Sequence, residues 1–152
     1  MRRSNALFLT AMGLAVASSP LLAAPADAVR NRIDHFRELG ASFKTVNDSL
    51  RTAEPQTILI QMAARQIVNA SRDLPNWFPA GSGPETGEKT KTKPAVWTQA
   101  PKFKSAQTAF AAQAAAFQRA AQTGNAAIIK GEARKLGTTC KGCHDTFREP
   151  GN

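Results

Sequence analysis

The chain is poor in thiol and imidazole, with two cysteines and two histidines among 152 residues. That scarcity removes several kinds of chemistry. A structural zinc site needs about four protein ligands, and beyond Cys140, Cys143 and His144 the sequence offers only His35 as a further nitrogen donor. A disulfide framework is equally remote, because a bridge between Cys140 and Cys143 closes so short a loop that it constrains little of the unfolded chain. Strand-like alternation of apolar and polar residues is missing, which excludes a sheet and with it the βαβ setting of a thioredoxin-like redox pair. Long apolar runs are missing too: the longest, Ala6 to Ala17, is 12 residues, well short of the roughly 20 needed to span a bilayer. There is no internal repeat and no low-complexity tract.

What is present begins with charge. Twenty lysines and arginines face eleven acids, a formal net charge of +9. Residues 1–26 read as a secretory signal peptide: Arg2 and Arg3 supply a basic start, Ala6 to Ala17 the apolar segment, and Ala23, Ala24 and Ala26 the small residues before cleavage. Arg2-Arg3 fits a plain basic start better than a twin-arginine signal. Residues 27–152 then form one domain, of a size that can bury a core. A basic surface steers acidic partners or binds anionic membranes and nucleic acid; export and the dispersed placement of the bases exclude nucleic acid, and a solvated face remains an equal reading.

Four stretches carry a helical apolar period, so the chain is expected to be all-α. The first, about Ala28 to Leu50, puts Val29, Ile33, Phe36, Phe43, Val46 and Leu50 on one stripe with Arg30, Asp34, Arg37, Glu38 and Lys44 outward. The second runs from about Pro55, in the first turn, to Leu74, through Ile60, Ala63, Ile67 and Ala70, and Pro75 stops it. From Pro75 to about Ala100 the prolines and glycines, and the bases Lys89, Lys91 and Lys93, mark a long loop, of a length usually functional or disordered. The third helix, about Pro101 to Gln122, repeats Phe103, Phe110 and Phe117 every seven residues with Ala106, Ala114 and Ala121 between them. The fourth follows Asn125, a candidate N-cap, and carries Ile129, Ala133, Leu136, Cys140, Cys143 and Phe147. Four such helices with one long and two short connections require an antiparallel up-down-up-down bundle.

Within the fourth helix, Cys140-Lys141-Gly142-Cys143-His144 is a C-x-x-C-H string, the attachment site of a c-type haem. Two thiols on about one turn reach the two vinyl groups of one porphyrin, the adjacent imidazole supplies an axial ligand to the iron, and Gly142 leaves room for the ring. A bare disulfide is the remaining alternative.

With this string near the C-terminus, the ordered set Arg32-Ile33-Asp34-His35-Phe36-Arg37-Glu38-Leu39-Gly40, Leu74-Pro75-Asn76-Trp77-Phe78-Pro79 and Lys93-Pro94-Ala95-Val96-Trp97 resembles the class II cytochromes c, and within them the cytochrome c prime family. The resemblance covers nearly all of residues 27–152. It implies one haem c on Cys140 and Cys143 with His144 as axial ligand, and puts Phe36 where low-spin members have a coordinating methionine. It further implies that Arg32 lies near a haem propionate, that Glu85 and Thr86 approach the haem from the loop, and that the protein is a homodimer. Met62 reads as core, His35 as turned away from a ring that Phe36 covers, and Phe78 and Trp97 as packing.

The function so implied is a periplasmic haem protein with five-coordinate iron that binds a small diatomic gas, nitric oxide or carbon monoxide, and transfers single electrons. The alternative is a dedicated electron carrier between periplasmic redox partners. An enzyme such as a peroxidase needs distal acid-base groups, and none can be placed.

Overall fold

The computed structural model describes residues 25–150; the expected signal peptide, residues 1–26, lies outside them except for its last two residues. The chain forms α1 (Pro25–Ser49), α2 (Thr57–Asp73), a single-turn α3 (Ala95–Thr98), α4 (Ala100–Gln122) and α5 (Ala126–Phe147), with 3-10 turns at Leu74–Trp77 and Pro84–Thr86. The four long helices are the four read from the sequence, and the expected antiparallel bundle is what they build: α1 packs on α2, α2 on α4, and α4 on α5. The first and last helices do not pack backbone against backbone in this way.

The core is narrow where alanine allows it. Ala63, Ala64 and Ile67 of α2 meet Phe110, Ala114, Phe117 and Ala121 of α4, with Ile129, Ala133 and Leu136 of α5 and Val46 of α1 completing the cluster. Small residues let the helix axes approach, and the phenylalanines fill what remains. Each fully buried Phe or Leu contributes about 1.5–3 kcal/mol relative to exposure. The turn before α5 uses Gly124 at φ +67°, where only glycine sits without steric cost. Asn125 then caps α5, its side-chain oxygen accepting from the N–H groups of Ala127 and Ile128 at 3.0 and 3.1 Å.

Two local expectations, for Pro55 and for the α1 stripe, are corrected, and that for Pro75 holds with an addition. Pro55 is outside α2, which starts at Thr57, because the Thr52 hydroxyl donates to the carbonyls of Ser49 and Glu54 and holds the preceding segment in a turn. Pro75 ends α2 without ending helical structure: lacking an N–H, it tightens the chain into a 3-10 turn that buries Leu74 and Trp77. The apolar stripe of α1 is interrupted. Ile33 is only half-buried, Phe36 is exposed, and Arg32 is buried in their place.

The long loop is tied down at two points. Ser82 is buried against Arg32, and Thr92 forms an antiparallel bridge with Arg148. In that bridge Lys93 N–H donates to the Phe147 carbonyl at 2.9 Å, and Glu149 N–H donates to the Lys91 carbonyl at 2.7 Å.

Candidate functional site

Cys140 and Cys143 lie three residues apart on α5, hence on one side of it, and both are half-buried free thiols. They reach different parts of the interior. Cys140 packs on the main core, whereas Cys143 packs on a second cluster of Val96, Phe103 and Phe147. Burial pushes both thiols above the usual thiol value, and for Cys143 the neighbouring Cys140 adds to the effect. His144 is exposed on the last turn; partial desolvation, then the charge of Arg148, holds its imidazole below the ordinary value against the opposing pull of Asp145.

A side chain of α1 comes close to α5 at Gly137. A Cβ built on Gly137 would lie 3.5 Å from Cζ of Phe43. The two helices run antiparallel, so seven residues back along α1 and seven forward along α5 cover the same distance, about 10 Å at 1.5 Å per residue. Those steps end at Phe36 and His144. Phe36 and His144 therefore belong to the same end of the bundle.

Phe36 is 38% exposed, high for a phenylalanine amid aromatic neighbours. Its ring meets Trp77 edge-on at 5.0 Å and Phe78 at 6.1 Å. From Phe78 the edge-to-face contacts continue to Phe103 at 4.8 Å and from there to Phe147 at 5.0 Å. An aromatic wall therefore runs from α1 to the turn that bears His144. Sequence reasoning took Phe78 and Trp97 as packing residues, and both belong to this wall, with rings 6.3 Å apart.

Arg32 is 1% exposed. Its guanidinium donates to Ser82 Oγ and the Ser82 carbonyl, both at 3.0 Å, and to the Trp77 carbonyl at 3.3 Å. It also lies over the rings of Phe78 and Trp97, at 4.8 and 5.7 Å. No carboxylate pairs with it among the described residues, and its Nε is buried without a partner, as is Nε1 of Trp97. Burial accordingly pulls its pKa down. A buried cation without an anion is costly, and two orphaned donors beside an aromatic wall suit a flat apolar group that carries carboxylates. Haem is such a group, so the residues present fit it.

The remaining site candidates fare differently. Glu85 accepts from the Gly83 N–H at 3.1 Å, while Thr86 donates to the Gly83 carbonyl at 2.9 Å and accepts from Glu88 N–H. Both are engaged within their own turn, and among the described residues no hydrogen bond joins either to α5. Met62 is 47% exposed on α2 rather than core, since α2 turns its other side to α4. His35 stacks on Trp77 with centroids 4.9 Å apart, so His35 and Phe36 grip the same indole. Sequence reasoning missed Ser82 as the partner of Arg32 and the bridge behind His144, for neither has a local signal: Ser82 is fifty positions from Arg32.

A family model described as Cytochrome C' matches residues 27–148. The cytochrome c' of Rubrivivax gelatinosus is 34% identical over 125 residues, which cover 82% of this chain and 96% of the relative. The crystal structure of cytochrome c' from that organism superposes with a TM-score of 0.75 at 32% identity, over 82% of this chain and 97% of the other. A nitric oxide complex of a cytochrome c prime variant from Alcaligenes xylosoxidans shares the fold, with a TM-score of 0.75 at 24% identity, over 84% of this chain and 98% of that one. Position and order of the C-x-x-C-H helix, the four-helix architecture and these likenesses agree: the chain belongs to the cytochrome c' family.

Proposed function

We propose that the protein is a periplasmic haem protein carrying one haem c on Cys140 and Cys143, with His144 as the axial ligand and a small neutral diatomic gas, nitric oxide or carbon monoxide, as its ligand. The observation that supports this reading is the aromatic wall that runs from the part-exposed Phe36 through Phe78 and Phe103 to Phe147, one turn beyond His144. A haem held by these residues would supply an iron able to bind a gas and to exchange one electron.

The chain's own residues define the rest. A benzyl group has no lone pair to donate, so Phe36 shields without ligating. Distal polarity and access decide which gases bind, and an apolar lid favours neutral diatomics over oxygen, whose bound form is polar. Neither alternative donor is turned to this site: Met62 is half-exposed on α2, and the His35 ring is stacked on Trp77. Arg32, with its unpartnered Nε, holds a propionate; Glu85 and Thr86 line the loop side. Residues 1–26 direct export and are removed, and the mature chain forms a homodimer with no stable membrane insertion. No helix among the described residues is long and apolar enough to cross a membrane.

The experiment is the optical and resonance Raman spectrum of the ferrous protein with and without nitric oxide. A high-spin five-coordinate spectrum that changes on adding the gas supports the reading. A six-coordinate low-spin spectrum without added ligand defeats it and leaves a dedicated carrier between periplasmic redox partners. Phe36→Met serves as the positive control, expected to convert the iron to that low-spin form.

A further inference from the structure

We infer that the segment bearing Lys89, Lys91 and Lys93, together with Arg148, is the docking face for the acidic surface of a one-electron protein partner. This rests on the haem reading above and deepens it by naming the partner's chemistry and where it binds.

Three lysines at alternate positions place three positive charges within five residues of non-helical chain. Such a segment would ordinarily relieve its self-repulsion by moving, but this one is fixed. The Thr92–Arg148 bridge and its two backbone hydrogen bonds hold it against residues 147–149, and Nζ of Lys93 lies 3.5 Å from the carbonyl oxygen of Asp145, the residue after His144. The cations therefore stand beside the turn that carries the proposed axial ligand.

Their charges are not answered locally. Among the described residues, Lys89, Lys91, Lys93 and Arg148 form no ion pair, whereas the neighbouring acids Glu88 and Asp145 are taken by Arg30 and Lys141. Glu149 is the one carboxylate of the patch without an ion-pair partner. Fixed, unpaired cations at one place raise the local concentration of anionic partners and their association rate. An anionic membrane fits less well, because surface-seeking segments combine bases with apolar side chains. Of the five exposed large apolar side chains, Ile58, Leu59, Met62 and Ile128 belong to the opposite end of the bundle, where Thr57 meets Gly124, and Phe36 alone is at this end, part of the aromatic wall.

The transfer moves one electron and no atom: ferrous iron is oxidised to ferric as the partner is reduced by one electron, or the reverse. The test uses the full haem-bearing protein. Its ferrous form is oxidised by ferricyanide, an anionic one-electron acceptor, at low and high salt. Lys89→Gln/Lys91→Gln/Lys93→Gln is expected to slow the low-salt rate about tenfold. Arg65→Gln/Lys130→Gln/Arg134→Gln, which removes the same charge elsewhere, is expected to change it far less. A second readout needs no haem chemistry: a short polyglutamate peptide should protect Lys89, Lys91 and Lys93 from acetylation, severalfold more than Lys130, as read by peptide mass spectrometry. Equal slowing by both triple variants, or uniform protection, overturns the proposal. So does binding to anionic phospholipid vesicles that the first triple abolishes while the ferricyanide rate stands. Absence of a c-type haem spectrum defeats the function proposed above, while the protection pattern still reports on the docking face.

Discussion

Replacing Arg32 by leucine removes the one buried cation among the described residues and should destabilise the bundle far more than replacing an exposed helix arginine would. The side chain makes three hydrogen bonds, two to Ser82 and one to the Trp77 carbonyl. Hydrogen bonds from a charged donor contribute about 1.5–3 kcal/mol each, but desolvating the guanidinium offsets much of that sum. Leucine abolishes the desolvation cost and leaves the Ser82 and Trp77 carbonyls unpaired at about 1–3 kcal/mol each. The net loss is about 2–5 kcal/mol, or roughly 8–20 °C in Tm for a domain of this size. Lysine in the same place keeps the charge but not the planar fork, and should be no better tolerated. Urea unfolding followed by circular dichroism and by the fluorescence of Trp77 and Trp97, both in contact with Arg32, measures the effect. Ser82→Ala in the same background should show non-additivity of about 0.5–3 kcal/mol, as residues in one network do. A loss below about 1 kcal/mol, or strict additivity with Ser82→Ala, would refute the view that Arg32 fastens the loop to α1.

Three further outcomes follow from other parts of the fold. Asn125→Ala removes both bonds that cap α5 and should cost about 1 kcal/mol in urea unfolding, whereas Asn125→Ser should cost little. Ala114→Leu forces a branched side chain into a fully buried position between helices, with an expected loss of about 1–3 kcal/mol and a lower thermal midpoint. In the haem-free chain the native state holds the Cys140 and Cys143 protons more tightly than the unfolded state, because burial raises both thiols. Its stability should be full below the ordinary thiol value and fall as pH rises through it; thioethers do not ionise, so chemical denaturation of the haem-bearing protein should lack this alkaline decline.

The architecture was legible because it is written in local patterns. Seven-residue spacing of Phe103, Phe110 and Phe117 requires a buried helical face, and Thr123-Gly124-Asn125 is a turn and cap that operate within a few residues. The C-x-x-C-H string names its chemistry by spacing alone. Arg32 was not legible in the same way. Amphipathic reasoning sends an arginine outward, and the only warrant for placing it near the site was a family likeness; its burial depends on Ser82 and Trp77, supplied by a distant segment. Met62 erred in the opposite direction, since a methionine's hydrophobicity cannot say which side of α2 faces α4. The loop's anchors are backbone hydrogen bonds, which no side-chain pattern encodes.

Those anchors have a consequence for how this connection can vary. Between the Ser82 staple and the Lys93–Phe147 hydrogen bond, the segment is joined to α1 by the surface pair Arg30–Glu88, a kind of contact worth about 0–1 kcal/mol. Doubling a flexible loop costs only about 0.6 kcal/mol. Residues inserted at Gly87, which faces open space between Thr86 and Glu88, would thus lengthen the excursion without shifting either fastened end, making that point a natural place to graft an epitope or a tether onto an otherwise undisturbed bundle.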